Sequence, residues 1–485
     1  MSVRIEASVS DVVGPVPRRL FGSFVEHLGR AVYTGIHEPG HSTSDSRGFR
    51  GDVLELVREL GPTVVRYPGG NFVSAYRWED GVGPDRPVRL DPAWHSVESN
   101  RFGLHEFAAW AQAADVEVMY AVNLGTRGVQ EAADVLEYCN HPGGTELSER
   151  RRANGADRPF GFRLWCLGNE MDGPWQIGHK TADEYGRLAA ETARVMRMID
   201  PDVELVVAGS SHADMPTFGE WERTVLRHTA GLVDHISLHA YYQEHDGDTA
   251  SYLASAAALD AYIRTAAGVI DELGLEVGIS VDEWNVWDLR RWNETDQPRL
   301  VAGGWPEHPP LLEDTYTLTD AVVVGSLLGA LLRNVDRVTM ANQAQLVNVI
   351  APIRTEPGGA AWRQPTFHPF RLVSSLARGV SLQVSVEGDR LRTERHGEVD
   401  LVDVAATLDG SAGAVFLTNR ATASTDVEIR LRGARFEVAA AETLSAAGPV
   451  SLPGAAATSD AKGTTVTVTL PPRSWSLLRL AAPDA

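Results

Sequence analysis

The sequence predicts a closed eight-stranded parallel β/α barrel followed by an antiparallel, jelly-roll-like β-sandwich that the N-terminal strand completes. Three observations carry that prediction. Between residues 20 and 341, short apolar runs alternate with amphipathic stretches of helical period, the pattern of strands joined by crossover helices in a parallel sheet. Eight such runs can be counted, and eight strands separated by helices favour a closed barrel over an open doubly wound sheet. After about residue 378 the helical period stops, and short alternating strands bounded by Gly, Pro and Ser take over.

In chain order, Val3, Ile5, Ala7 and Val9 alternate with polar residues as one half-buried strand would, and this strand is assigned to a sheet made elsewhere in the chain. Residues 20–25 open the barrel, 52–60 form an amphipathic helix and 63–67 the second strand. The other strands fall at 117–123, 163–168, 204–208, 233–239, 277–281 and 337–341, with helices at 104–114 and 182–199 among the connections. Residues 288–314, rich in Trp, Pro and Gly, are too long for an ordinary connection and read as a lid or interface loop over the cleft. In the tail, VDVAATL and AVFLTNR flank the turn DGSAG, and VEIRL, FEVAAAETL, TTVTVTL and SWSLLRL continue the strands. Trp475 is expected to face inward, and without a cluster of exposed aromatics the tail reads as a packing and assembly unit ahead of a carbohydrate-binding one. The chain divides accordingly into a barrel, 15–377, and a sandwich made of 1–14 plus 378–485.

A formal charge of −21 argues against nucleic acid or an anionic membrane as partner, because either would want a basic face. Solubility is its simpler meaning. Cys139 and Cys166 are the only cysteines, and Cys166 lies in a predicted core strand, so no disulfide framework is expected. The N-terminus, MSVRIEASVS, reads as a strand and not as a leader, and no uninterrupted apolar run approaches ~20 residues. A cytoplasmic chain is the expectation.

The stretch 162–180, FRLWCLGNEMDGPWQIGHK, carries the most chemistry. Its apolar run ends on Gly168, which leaves Asn169 and Glu170 at the C-terminal tip of strand four, the face of a β/α barrel where reactions are placed. Trp165, Met171 and Trp175 flank the carboxylate, so lost hydration is expected to raise the pKa of Glu170 and suit it to general acid work. Alone, this pair reads equally well as a solvated carboxylate just past a strand. Residues 276–287, EVGISVDEWNVW, repeat the grammar: Val277, Ile279 and Val281 form a strand that Asp282, Glu283 and Trp284 break. Paired carboxylates from two strand tips are the equipment of glycoside hydrolysis, one protonating the leaving oxygen and the other attacking or activating water.

The remaining tips, the third and fifth excepted, supply polar or aromatic candidates. Glu26 stands at the first, where a carboxylate can accept hydrogen bonds from sugar hydroxyls. Arg66 and Asn71 flank the RYPGGN turn at the second, whose paired glycines either admit a ligand close to the backbone or simply make the turn. Asn169 is placed to hold a ring 2-hydroxyl. In SLHAYY, His239 and Tyr241 share one side of strand six. Tyr241 is expected to hydrogen-bond Glu283 and keep it ionised. A metal is the competing use of His239, yet no HExxH-like ligand spacing accompanies it, so neither metal nor other cofactor is expected. Trp287 supplies an apolar wall and Gln345, at the eighth tip, a donor.

Five segments, FGSFVEHLGRAVYTGI, RYPGGNFVSAYRWEDGVGP, WCLGNEMDGPWQIGHK, DEWNVW and AQLVNVIAPI, resemble the signature segments of the α-L-arabinofuranosidases of glycoside hydrolase family 51, and they run from Phe21 to Ile353. The resemblance implies a retaining, exo-acting hydrolase that releases terminal non-reducing α-L-arabinofuranosyl units from arabino-oligosaccharides, arabinan or arabinoxylan. It implies Glu170 as acid/base, Glu283 as nucleophile, and Glu26, Asn71, Asn169, Tyr241, Trp287 and Gln345 as substrate contacts. It further implies a homo-oligomer, a hexamer or trimer of dimers. Two other readings stand beside it. One is β-xylosidase or endo-glucanase activity on the same scaffold, since cleft shape reads ring size; the other is a catalytically silent sugar-binding protein, which turnover of any aryl glycoside would eliminate.

Overall fold

Eight parallel strands pair in chain order in the computed structural model, which describes residues 2–483. They are Gly22–Phe24, Val64–Tyr67, Glu117–Val122, Leu164–Leu167, Glu204–Val207, His235–Tyr242, Gly278–Val286 and Val338–Gln343. The eighth pairs back onto the first, Gln343 opposite Ser23, and closes the barrel. Barrel strands are covered on both faces, which is why they read in the sequence as apolar runs and not as alternation. Val64, Met119, Ala121, Leu164, Cys166, Val206 and Met340 fill the barrel interior, while Trp165 and Leu167 belong to the layer shared with the helices.

The helix Ala182–Ile199 shows how a connection positions the site. Thr181 accepts from the Glu184 N–H and the Glu184 carboxylate accepts from the Thr181 N–H at 3.0 Å, a reciprocal cap that fixes the start. Tyr185, Ala189, Ala193 and Met196 form its buried stripe. From that stripe the Tyr185 hydroxyl donates to the Leu167 carbonyl at 2.5 Å and accepts from the Ala208 N–H at 2.7 Å, which ties together the tips of strands four and five.

The structure changes two of the expected elements. Strand seven does not break at Asp282 but runs on to Val286. The segment after it, read as irregular, is half helical: Leu289–Arg291, a π turn at Trp292–Asp296 and Gln297–Ala302 follow one another. Asp288 caps the start by accepting from the Arg291 N–H, Pro298 sits in a first turn where its missing N–H is not needed, and Trp292 and Leu300 bury the inner side.

The C-terminal strands form one curled sheet of ten. Its order is Gly448–Ser451, Glu437–Ser445, Ser474–Ala481, Ala412–Asn419, Val402–Asp409, Val380–Gly388, Ser2–Pro15, Thr425–Arg432, Gly463–Leu470 and Ala456–Asp460. Val3, Ile5, Val404, Leu417, Ile429, Val466 and Leu478 pack inside it. The N-terminal strand therefore completes this sheet, antiparallel to Val380–Gly388 but parallel to Thr425–Arg432, a departure from the wholly antiparallel arrangement expected. Between sheet and barrel lies the helix Leu318–Arg333, apolar on all sides because both layers cover it. Trp475 is buried, but on the sheet face turned toward the barrel and not in the sheet's own interior, and its indole fills the space over Gly325. Arg333 and Arg420 share the half-buried Asp403 carboxylate at 3.1 and 3.3 Å, and Arg333 also reaches Asp260 at 2.6 Å.

Candidate active site

Strand four ends where Gly168 takes φ 85°, and Glu170 follows at φ 44°, a left-handed conformation that costs a side-chain-bearing residue roughly 1 kcal/mol or more. The turn leaves Asn169 buried and lifts Glu170 over the barrel mouth. Glu170 Oε2 accepts from the Trp175 indole N–H at 2.6 Å, and Oε1 lies 2.9 Å from His239 Nδ1.

Strand seven delivers the second carboxylate through a bulge. Ser280 pairs with Ser237 and Glu283 with His239, so three residues on one side advance against two on the other; strand eight shows the same slip between Val281 and Trp284. One extra residue re-aims the side chains that follow it. Asp282 and Glu283, though consecutive, both meet groups at the barrel mouth. Glu283 accepts from Arg66 Nη1 at 2.6 Å and from the Tyr241 hydroxyl at 2.7 Å. One oxygen of Glu170, one of Glu283 and a ring nitrogen of His239 lie within 4.8 Å of one another.

Arg66 is the hub of this floor. Its guanidinium, fully buried over the Phe24 ring at 5.0 Å, donates to Glu283 and, through Nη2, to Asn169 Oδ1 at 2.7 Å. The Asn169 amide N–H is thereby turned toward Asn71, whose Oδ1 is 3.4 Å away. Glu26, at the first tip, accepts from the Phe72 N–H, from the Trp94 indole at 2.8 Å and from Gln345 at 3.2 Å, while Gln345 in turn accepts from the Glu26 N–H. Trp287 meets the Tyr241 ring edge-on at 5.1 Å. All ten residues picked from the sequence thus converge on one cleft.

The charges settle differently from expectation. Burial alone would raise the Glu170 carboxyl, but the hydrogen bond and charge of His239, with the Trp175 indole, outweigh it and hold Glu170 below its ordinary value. The raised pKa expected for the free protein is therefore corrected, and its cause is an imidazole 69 residues away in sequence. Burial opposes charge on His239 too, yet attraction to Glu283 and contacts with Asp282 and Glu170 push it up to about 10. Burial and the nearby Glu283 charge drive Glu26 the other way, up to about 8, against the donors around it. Glu170, His239 and Glu283 are also the group, among the described residues, whose ligand atoms could converge on a metal ion. An ion bound there would have to displace a proton from His239 and break its contact with Glu170.

Two residues of the cleft escaped the sequence reading. Trp94 comes from a short hairpin, Arg89–Asp91 with Ser96–Glu98, inside a stretch without periodicity. Asp282 was passed over as the neighbour of Glu283. The third and fifth tips are occupied structurally: Asn123 holds the turn at Gly125 and Thr126, and Ser211 donates to Asp172.

A closed β/α barrel with two carboxylates facing each other across its C-terminal mouth, floored by arginine and walled by tryptophan, is the construction of a glycoside hydrolase. Two family models match the chain, the α-L-arabinofuranosidase 1 domain over residues 56–262 and the α-L-arabinofuranosidase C-terminal domain over 282–474. An intracellular exo-α-(1→5)-L-arabinofuranosidase of Streptomyces lividans is 54% identical, across 97% of this chain and 74% of its own. An exo-α-(1→6)-L-arabinofuranosidase of Bifidobacterium longum is 53% identical, across 96% and 95%. The solved family 51 α-L-arabinofuranosidase AbfB of Bifidobacterium longum superposes with a TM-score of 0.91 at 42% identity, covering 98% of this chain and 99% of that one. The chain belongs to the α-L-arabinofuranosidases of glycoside hydrolase family 51 and is an exo-α-L-arabinofuranosidase.

Proposed function

We propose that the enzyme removes terminal α-L-arabinofuranosyl units with retention of anomeric configuration, by a double displacement in which Glu283 is the nucleophile and Glu170 the acid/base. The supporting observation is the separation of the two carboxylates, whose oxygens approach within 4.8 Å. Retaining pairs stand about 5 Å apart, whereas inverting pairs need roughly 6.5–9.5 Å to admit a water between them. Arg66 and Tyr241 aim Glu283 at the anomeric carbon from two sides. Glu170 protonates the leaving oxygen, then takes a proton from the water that releases the arabinosyl group from Glu283. Asn169 is oriented to hold the 2-hydroxyl, and Glu26, Asn71, Gln345 and Trp287 line the sugar pocket. We infer arabino-oligosaccharides from arabinan or arabinoxylan as substrates, an intracellular location in line with the name of the Streptomyces relative, and a homo-oligomer of six chains. Among the described residues no helix is long and apolar enough to cross a membrane.

Kinetics of two variants test the roles. Glu170→Ala is expected to slow substrates with poor leaving groups by on the order of 10² to 10⁴, the usual worth of general acid catalysis. With an aryl leaving group it is expected to show a burst, because the covalent intermediate then waits for water that no base activates. Azide needs no base and is expected to restore turnover with a product of retained configuration. Glu283→Ala forms no covalent intermediate, so no burst is expected, and any azide product is inverted. An inverted product from the first variant, or a burst from the second, would exchange the two assignments.

A further inference from the structure

The mechanism leaves Asp282 without a role, although it is buried as deeply as anything in the cleft, at 1% exposure. Its Oδ1 stands 3.2 Å from His239 Nε2, at ion-pair distance but outside the angle of a directed hydrogen bond, and it has no hydrogen-bond partner elsewhere. Its Oδ2 has only long contacts, 3.8 Å to Arg66 Nε and 3.9 Å to Cys166 Sγ. A carboxylate buried with so few donors is stable only beside a charged partner, and of the two in reach the imidazole, at 3.2 Å, is nearer than the Arg66 guanidinium at 3.8 Å. The bulge in strand seven is what brings it there, since without the extra residue Asp282 and Glu283 would face opposite sides of the strand.

On the other side of the ring, Nδ1 lies 2.9 Å from Glu170 Oε1 and 3.6 Å from Glu283 Oε2. Asp282, His239 and Glu170 thus form a line from the barrel interior to the mouth. We propose that Asp282 is a positioning residue for the acid step: it anchors the Nε2 side of His239, so that the Nδ1 proton faces Glu170 Oε1 and is the proton Glu170 passes to the leaving oxygen. This rests on the assignment of Glu170 as acid/base. As substrate excludes water, the Nδ1–H bond breaks and an Oε1–H bond forms, leaving a neutral imidazole that keeps its Nε2–H toward Asp282. The Oε1–H bond then breaks toward the leaving oxygen while Glu283 bonds the anomeric carbon. In the second half, the attacking water gives its proton to Glu170 and the proton returns to Nδ1, which restores the resting charges. The line explains how a glutamate held ionised in the free enzyme still acts as an acid. Other charged or titratable groups around His239 are Glu283 and Tyr241 beside it, Arg66 beneath Glu283 and Cys166 beside Asp282.

The test is the pH dependence of kcat/KM for Asp282→Asn, an isosteric change that removes the charge. With an alkyl arabinofuranoside, which needs full protonation, the basic limb is expected to move down by about one pH unit, a tenfold loss at a fixed pH on that limb. With a nitrophenyl arabinofuranoside the movement is expected to be smaller. In a His239→Gln background, adding Asp282→Asn is expected to change nothing further, because the carboxylate acts through the ring. An unmoved limb, an equal loss for both leaving groups at every pH, or additive effects in the double variant would overturn the proposal. So would a variant without a cooperative thermal transition, which would assign Asp282 to stability. The azide test on Glu170→Ala, run alongside, separates the failures: if it succeeds and the limb stays put, only the Asp282 line falls; if it fails, the acid assignment itself falls.

Discussion

Arg66 is the residue whose geometry demands most of its chemical type. Its fork donates to Glu283 with one arm and to Asn169 with the other, 2.6 and 2.7 Å away, while the plane lies over Phe24. An ammonium has the charge but not the fork. Arg66→Lys is therefore expected to lose one charge-assisted hydrogen bond, worth about 1.5–3 kcal/mol, and to lower kcat on a nitrophenyl arabinofuranoside by about 10- to 100-fold. A kcat within twofold of the parent enzyme would contradict that role. Glu170 and Glu283 were legible because each ends an apolar run, a signal carried by neighbours in sequence. The protonation of Glu170 was not, because its deciding neighbour, His239, arrives from another strand. Trp94 sits in a hairpin with no periodicity to betray it, and its indole meets Glu26 only through the fold.

Helices read most reliably at the scale of the element where the chain carries its own start signal. The capping pair Thr181 and Glu184 and the stripe from Tyr185 to Met196 mark Ala182–Ile199 from end to end. The bulge in strand seven has no such signal, because a two-residue alternation with one insertion looks like a strand that stops. Helix turns within 288–302 were hidden by Pro298 and by a charge-rich sequence whose apolar face is only Trp292 and Leu300. Leu318–Arg333 offers a sharp test of packing. A Cβ on Gly325 would stand 2.4 Å from the Trp475 indole, itself stacked on Phe416 and buried. Replacing glycine by alanine inside a helix gains roughly 0.5–1 kcal/mol, but overpacking a filled core costs about 1–3 kcal/mol. The clash wins, so Gly325→Ala is expected to lower the melting temperature; an unchanged or higher one would show that the indole has room to move.

The whole molecule is a barrel that does the chemistry and a curled sheet locked onto it through an apolar helix and the Asp403 ion pairs. Alternation at Val3 to Val9 revealed a strand, and its need for a distant partner was legible too. The direction of pairing was not, since a strand's pattern is the same for parallel and antiparallel neighbours, and only the fold sets Val3 opposite Val427 in parallel. The proposed assembly of six chains is expected to sediment at micromolar concentration as a multiple of the 52.6 kDa chain; a mass equal to one chain would contradict it. Retention remains the property on which the assignment of both glutamates turns. Proton NMR of the first turnovers of a nitrophenyl α-L-arabinofuranoside is expected to show the α-anomer of arabinofuranose appearing before mutarotation sets in, and the β-anomer appearing first would contradict Glu283 as the nucleophile.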